Sequence, residues 1–126
     1  MTRPVVIFSL LVLPMLVTPV DAAEQTAEID ICREFSLIAN EVMTARQMDR
    51  PMSETLPAAQ KRYRDLLEDH EVEVDEEADE RISELVIGAY EMTSFDMVEL
   101  QNSMISEFEN DAFAECNRLA ISDSGD

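Results

Sequence analysis

Ile31-Cys32-Arg33-Glu34-Phe35-Ser36-Leu37-Ile38-Ala39-Asn40-Glu41-Val42-Met43-Thr44-Ala45 decides the fold class of this chain of 126 residues. Ile31, Phe35, Ile38, Val42 and Ala45 recur at steps of four and three, the spacing of one helical face. Cys32, Ala39 and Met43 flank that stripe. A half-buried strand needs alternation at every second residue, and no long alternating run occurs anywhere in the chain. The predicted helix spans about Thr26 to Met48. Pro51 closes it, because a proline pushes the preceding Arg50 out of the α region.

Reading outward toward the C-terminus, the helical period persists. Ser53 is the predicted N-cap of a second helix, with Glu54 favourable in its first turn. Pro57 either sits at the fourth helical position, at the cost of a hydrogen bond, or restarts the helix as a first-turn residue. From Ala58 to about Leu67 the pattern turns Ala59, Tyr63, Leu66 and Leu67 inward and Lys61, Arg62 and Arg64 outward. Residues 68–80 are nine-thirteenths acidic, and their first half reads as a solvated connection. Asp75 then caps a third helix, placing Glu76, Glu77 and Asp79 in its electropositive first turn. Ala78, Ile82, Leu85, Val86 and Ala89 form its buried stripe, which ends near Met92. Asp96 and Glu99 have the spacing of a capping box, and Phe95 with Leu100 that of a hydrophobic staple. A fourth helix running to about Leu119 presents Leu100, Met104, Phe108, Ala112 and Cys116, and residues 122–126 form a frayed tail.

Toward the N-terminus the chain changes character. Met1 to Pro4 carry one arginine, Val5 to Val17 are apolar apart from Ser9 and Pro14, and Thr18 to Ala22 are turn-prone. Val20 and Ala22 meet the small-residue demand of a signal-peptidase site, so 1–22 is read as a signal peptide cleaved after Ala22. The apolar run is shorter than the roughly 20 residues of a spanning helix. This predicts a periplasmic or secreted protein with no membrane association after cleavage. Export makes Cys32 and Cys116, the only two cysteines, a disulfide pair. No CxxC spacing is present, so the bridge is structural and not a redox catalyst. The expectation is an all-α, single four-helix domain over residues 23–121, closed by one disulfide between antiparallel first and last helices.

The formal net charge is −19. Repulsion from phosphates excludes nucleic acid as a partner, and anionic membrane surfaces are disfavoured for the same reason. A basic protein partner suits the charge, and so does a salty habitat with no partner at all.

Cys32 to Gln47, Pro51-Met52-Ser53-Glu54, Ala89-Tyr90, Ile105 to Asn110 and Cys116 together resemble a group of short, signal-bearing proteins of Gram-negative bacteria. Their pattern is a cysteine, an Arg-Gln at the end of helix one, a Ser-Glu helix start and a late Phe-x-Asn before a second cysteine. Helix one of that pattern ends on a glycine, at the position of Asp49 here. The group carries no assigned activity, so the resemblance implies an exported helical fold and transfers no functional residues.

Chemistry-bearing residues are sparse. His70, the only histidine, lies in the most acidic stretch, a poor setting for a general base. Neither a nucleophile-elbow nor a phosphate-loop glycine pattern is present, and there is no HExxH. Catalytic residues and cofactors are therefore not assigned. Asp75, Glu76, Asp79 and Glu80 share a helical face and are weak candidates for a divalent cation, although the EF-hand glycine and register are missing. Arg46, Gln47 and Arg50 form a polar corner at the end of helix one. They are the candidate interaction surface, with helix-dipole compensation or an internal ion pair as the other reading. Met48, Met52 and Met97 lie near helix ends and offer an adaptable contact surface. The functional expectation is protein–protein binding to a basic partner, inhibitor- or immunity-like. The alternative is a stress protein that holds divalent cations weakly or acts as an acid-activated chaperone.

Overall fold

A computed structural model of the protein describes residues 18–124. Four helices follow in order: α1 (Thr18–Gln47), α2 (Met52–Asp69), α3 (Glu76–Glu91) and α4 (Val98–Ser124). The described residues contain no strand. The protein is an all-α four-helix domain, and Cys32 of α1 is disulfide-bonded to Cys116 of α4. Residues 1–17 of the expected signal peptide lie outside the described residues. So do the last two residues of the expected tail.

α1 is the axis of the molecule. It touches every other helix, most extensively α4, whereas α2 and α3 pack on each other and on α1. The periodicity explains why. Phe35, Ile38 and Val42 are buried in the cluster shared with Ala59, Tyr63, Leu66 and Leu67 of α2 and Ala78, Ile82, Val86 and Ala89 of α3. The rings of Phe35 and Tyr63 meet edge to face, with centroids 5.4 Å apart. Cys32, Ala39 and Met43, the flank of that stripe, are also fully buried. One side of that flank is covered by α4, through the Cys32–Cys116 bond and the Asn40–Glu109 hydrogen bond of 2.7 Å. The order of these links, rising along α1 as it falls along α4, makes the two helices antiparallel. α4 barely touches α2 and α3, and Ala112 is its only buried hydrophobic residue among those described.

Helix boundaries depart from expectation in physically readable ways. α1 begins at Thr18, eight residues before the predicted Thr26, with Pro19 in its first turn, where the missing N–H costs nothing. α2 starts at Met52 behind Pro51, which gives no side-chain cap, so Ser53 is a first-turn residue and not the N-cap. The helix runs through Pro57 and ends at Asp69, two residues past the predicted end. Ser53 and Pro57 are exposed, so the carbonyl that loses its N–H partner to the proline lies on the solvent side of the helix. Asp75 caps α3 as expected, accepting the Ala78 N–H at 3.1 Å. The predicted capping box of α4 does not form. Helix begins at Val98, Gln101 Nε2 donates back to the Phe95 carbonyl at 2.6 Å, and Leu100 is exposed where a staple would bury it. α4 also continues through Ser124, so the expected frayed tail from 122 is helical up to that residue.

Candidate functional site

α1 ends in a left-handed turn. Asp49 has φ 59°, its N–H bonds to the Arg46 carbonyl and the Arg50 N–H to the Ala45 carbonyl, both at 3.0 Å. This is the Schellman arrangement, with aspartate where glycine is usual. α2 ends the same way on Glu71, φ 58°, with the Val72 N–H on the Leu67 carbonyl at 2.8 Å.

That turn presents Arg46, Gln47 and Arg50 in different directions, and their roles separate. Gln47 is buried; its Nε2 donates to the Thr93 carbonyl at 2.9 Å and its Oε1 accepts the Phe95 N–H at 2.8 Å. One amide therefore pairs with the backbone of the α3–α4 connection as a neighbouring strand would. Arg46 donates through Nε and Nη2 to the Met92 carbonyl, at 3.1 and 3.0 Å, and lies 5.5 Å from the centroid of the Tyr90 ring. Ser94 donates to Asp49 Oδ1 at 3.0 Å. Tyr90 donates to the Arg50 carbonyl at 2.7 Å, and Thr55 Oγ1 lies 2.7 Å from the same hydroxyl. The chemistry of Arg46 and Gln47 is thus spent on a joint that fixes the end of α1 to residues 92–95.

Arg50 stands apart from that joint. Its guanidinium makes no hydrogen bond or ion pair among the described residues, and it lines a cleft of about 200 Å³ between α1 and α2. Ile38, Val42, Ala45 and Ala59 form the floor, and Glu41, Glu54 and Arg62 share the rim. Arg62 is already engaged by Glu41 at 2.9 Å. The cleft is smaller than the roughly 300–1,000 Å³ of most small-molecule sites.

The other cations are engaged where they stand, most of them by a carboxylate. Arg33 meets Asp30, Lys61 meets Asp65, Arg64 meets Asp79 and Arg118 meets Glu115. Arg81 donates to the Tyr63 hydroxyl at 3.0 Å. The Lys61 ammonium is raised above its ordinary pKa by its hydrogen bond to Asp65 and that carboxylate's charge, and Arg118 is raised in the same way by Glu115. His70 is the C-cap of α2, with Nε2 3.3 Å from Glu34 Oε2 on α1.

The four acidic candidates for a cation do not converge. Asp75 is occupied as the cap of α3 and Asp79 by Arg64, while Glu76 and Glu80 remain on the exposed surface. No group of three or more His, Cys, Asp or Glu side chains among the described residues is placed to hold a metal ion. Of the three methionines near helix ends, Met52 packs against the core, whereas Met48 and Met97 are exposed. The joint itself was hidden from sequence reasoning. Its only signal is that Arg46 and Gln47 follow the last buried turn of α1, and their partners lie 46 and 48 residues away. No family model matches the chain, and neither does any curated protein or solved structure.

Proposed function

We propose that the protein acts by binding a basic protein partner outside the cytoplasm, in the manner of an inhibitor or immunity module. The imbalance of its surface carries this reading. Nearly every described cation already has a carboxylate, carbonyl or hydroxyl of this chain as its partner, while the carboxylates of Asp69, Glu71, Glu73, Glu76, Glu77, Glu80 and Glu84 make no ion pair or hydrogen bond among the described residues. A surface of this kind attracts a positively charged protein over a distance and speeds encounter. The disulfide fits an oxidising setting, and no helix among the described residues is long and apolar enough to cross a membrane. Crosslinking capture of the oxidised protein from a periplasmic extract, at low and at high salt, tests the reading. A single stoichiometric basic partner that is lost at high salt supports it. A partner whose binding ignores salt, or no partner at all, overturns it.

A further inference from the structure

Exposed apolar side chains are unevenly placed on this molecule. Met48, Met92, Met97, Val98 and Leu100 lie in the segments that meet at the joint, around the end of α1, the end of α3 and the start of α4. Val98, Met48 and Met97 are the three most exposed large hydrophobics described, at 65%, 61% and 57%. None of this follows from loose structure, because the joint holds the backbone beneath them. Arg46 binds the Met92 carbonyl, Gln47 binds residues 93 and 95, and Gln101 binds the Phe95 carbonyl. A fixed backbone carrying flexible, polarisable methionines is a surface that adapts to an apolar partner without paying to order its own chain. Isolated exposed apolar residues need no explanation, but five in the segments tied together at one joint do.

The same segments carry Glu91, Asp96 and Glu99, all exposed, whose carboxylates have no ion-pair or hydrogen-bond partner among the described residues. A second copy of this chain would bring its own excess negative charge to that end and be repelled. Exposed apolar side chains interleaved with unmatched carboxylates, as in Asp96-Met97-Val98-Glu99-Leu100, call for an occupant with one apolar face and one cationic face.

We infer that this methionine-rich end docks a basic amphipathic helix of a partner protein, its apolar face on Met48, Met97 and Val98 and its cations on Asp96 and Glu99. The inference rests on the basic-partner reading above and names the surface that reading would use.

The test follows methionine methyl and backbone amide resonances of the oxidised protein during titration with a synthetic amphipathic helix of leucine and lysine. A leucine–glutamate peptide of the same pattern serves as control. The lysine peptide is expected to shift the Met48, Met92 and Met97 methyls and to spare the fully buried Met43. The Met97→Ser, Val98→Ser double variant weakens binding by about tenfold or more, and Asp96→Asn with Glu99→Gln weakens it by a similar factor and flattens its salt dependence. An unchanged Met43 methyl and helical dichroism show that the variants are folded. Lysine-peptide binding that shifts residues 69–84 and leaves these methyls alone overturns this surface while leaving the basic-partner reading standing. Equal binding of the glutamate peptide overturns the charge argument, and methyl shifts that depend on protein concentration alone assign the surface to a second copy. Absence of binding by either peptide overturns the surface as well.

Discussion

Gln47 shows how one side chain can decide where two elements meet. Amides are mostly exposed in folded proteins, and burying one without partners costs free energy. Here both ends of the amide are satisfied by backbone groups that would otherwise be unpaired beneath the α3–α4 connection. Gln47→Ala leaves the Thr93 carbonyl and the Phe95 N–H without their partner. We expect it to lower unfolding free energy by about 1–3 kcal/mol, read from the urea midpoint at unchanged slope. A loss below about 0.5 kcal/mol would mean that water replaces the amide and the joint is not a support. Asp49 beside it repays its left-handed backbone through the bond from Ser94, which a glycine would not make.

At the scale of the element, α3 and α4 show opposite economies. α3 is short and contributes four buried residues to the shared core, yet it carries Gly88 in its last turn, half-buried. A Cβ built there meets nothing within 4 Å, so Gly88→Ala relieves the helix of glycine's conformational freedom without a clash. The expected gain is about 0.5–1 kcal/mol, seen as a higher melting temperature. α4 is longer but rests almost wholly on α1, held by that packing, by the joint at one end and by the disulfide toward the other. The bridge spans 84 residues of sequence. The chain-entropy model assigns about 4–5 kcal/mol to a loop near that size. Reduction, or Cys32→Ser, is expected to lower the melting temperature sharply. Hydrogen exchange should then show α4 amides losing protection before those of α1, α2 and α3. Equal melting of oxidised and reduced forms would show that packing on α1 holds α4 without the clasp.

For the molecule as a whole, charge opposes compaction. The surface ion pairs among the described residues are exposed, and each is worth only about 0–1 kcal/mol. They do not offset an excess of nineteen negative charges. Raising salt from low ionic strength to about 0.15 M brings the screening length to roughly 8 Å. The melting temperature of the oxidised protein should therefore rise over that range. A flat or falling curve would mean that the exposed pairs, and not the excess carboxylates, dominate its electrostatics.

What the order of residues determined by itself was local. The steps of Ile31, Phe35, Ile38 and Val42 specify a helix and its buried face, Asp75 specifies a helix start, and two cysteines with no third leave one intramolecular pairing. Each depends on neighbours within a turn or two, or on counting, so each is legible in one dimension. The tertiary structure decided what depends on distant backbone. Asp96 and Glu99 hold the spacing of a cap, yet the amide of Gln101 competes for the turn and Leu100 stays outside. Arg46, Gln47 and Arg50 read as one corner, yet α1 carries the first two into a joint with residues 92–95, and the left-handed turn at Asp49 leaves Arg50 beside a cleft. The spacing of a motif states which bonds are within reach, and only the packing of α1 against the α3–α4 connection determined which of them form.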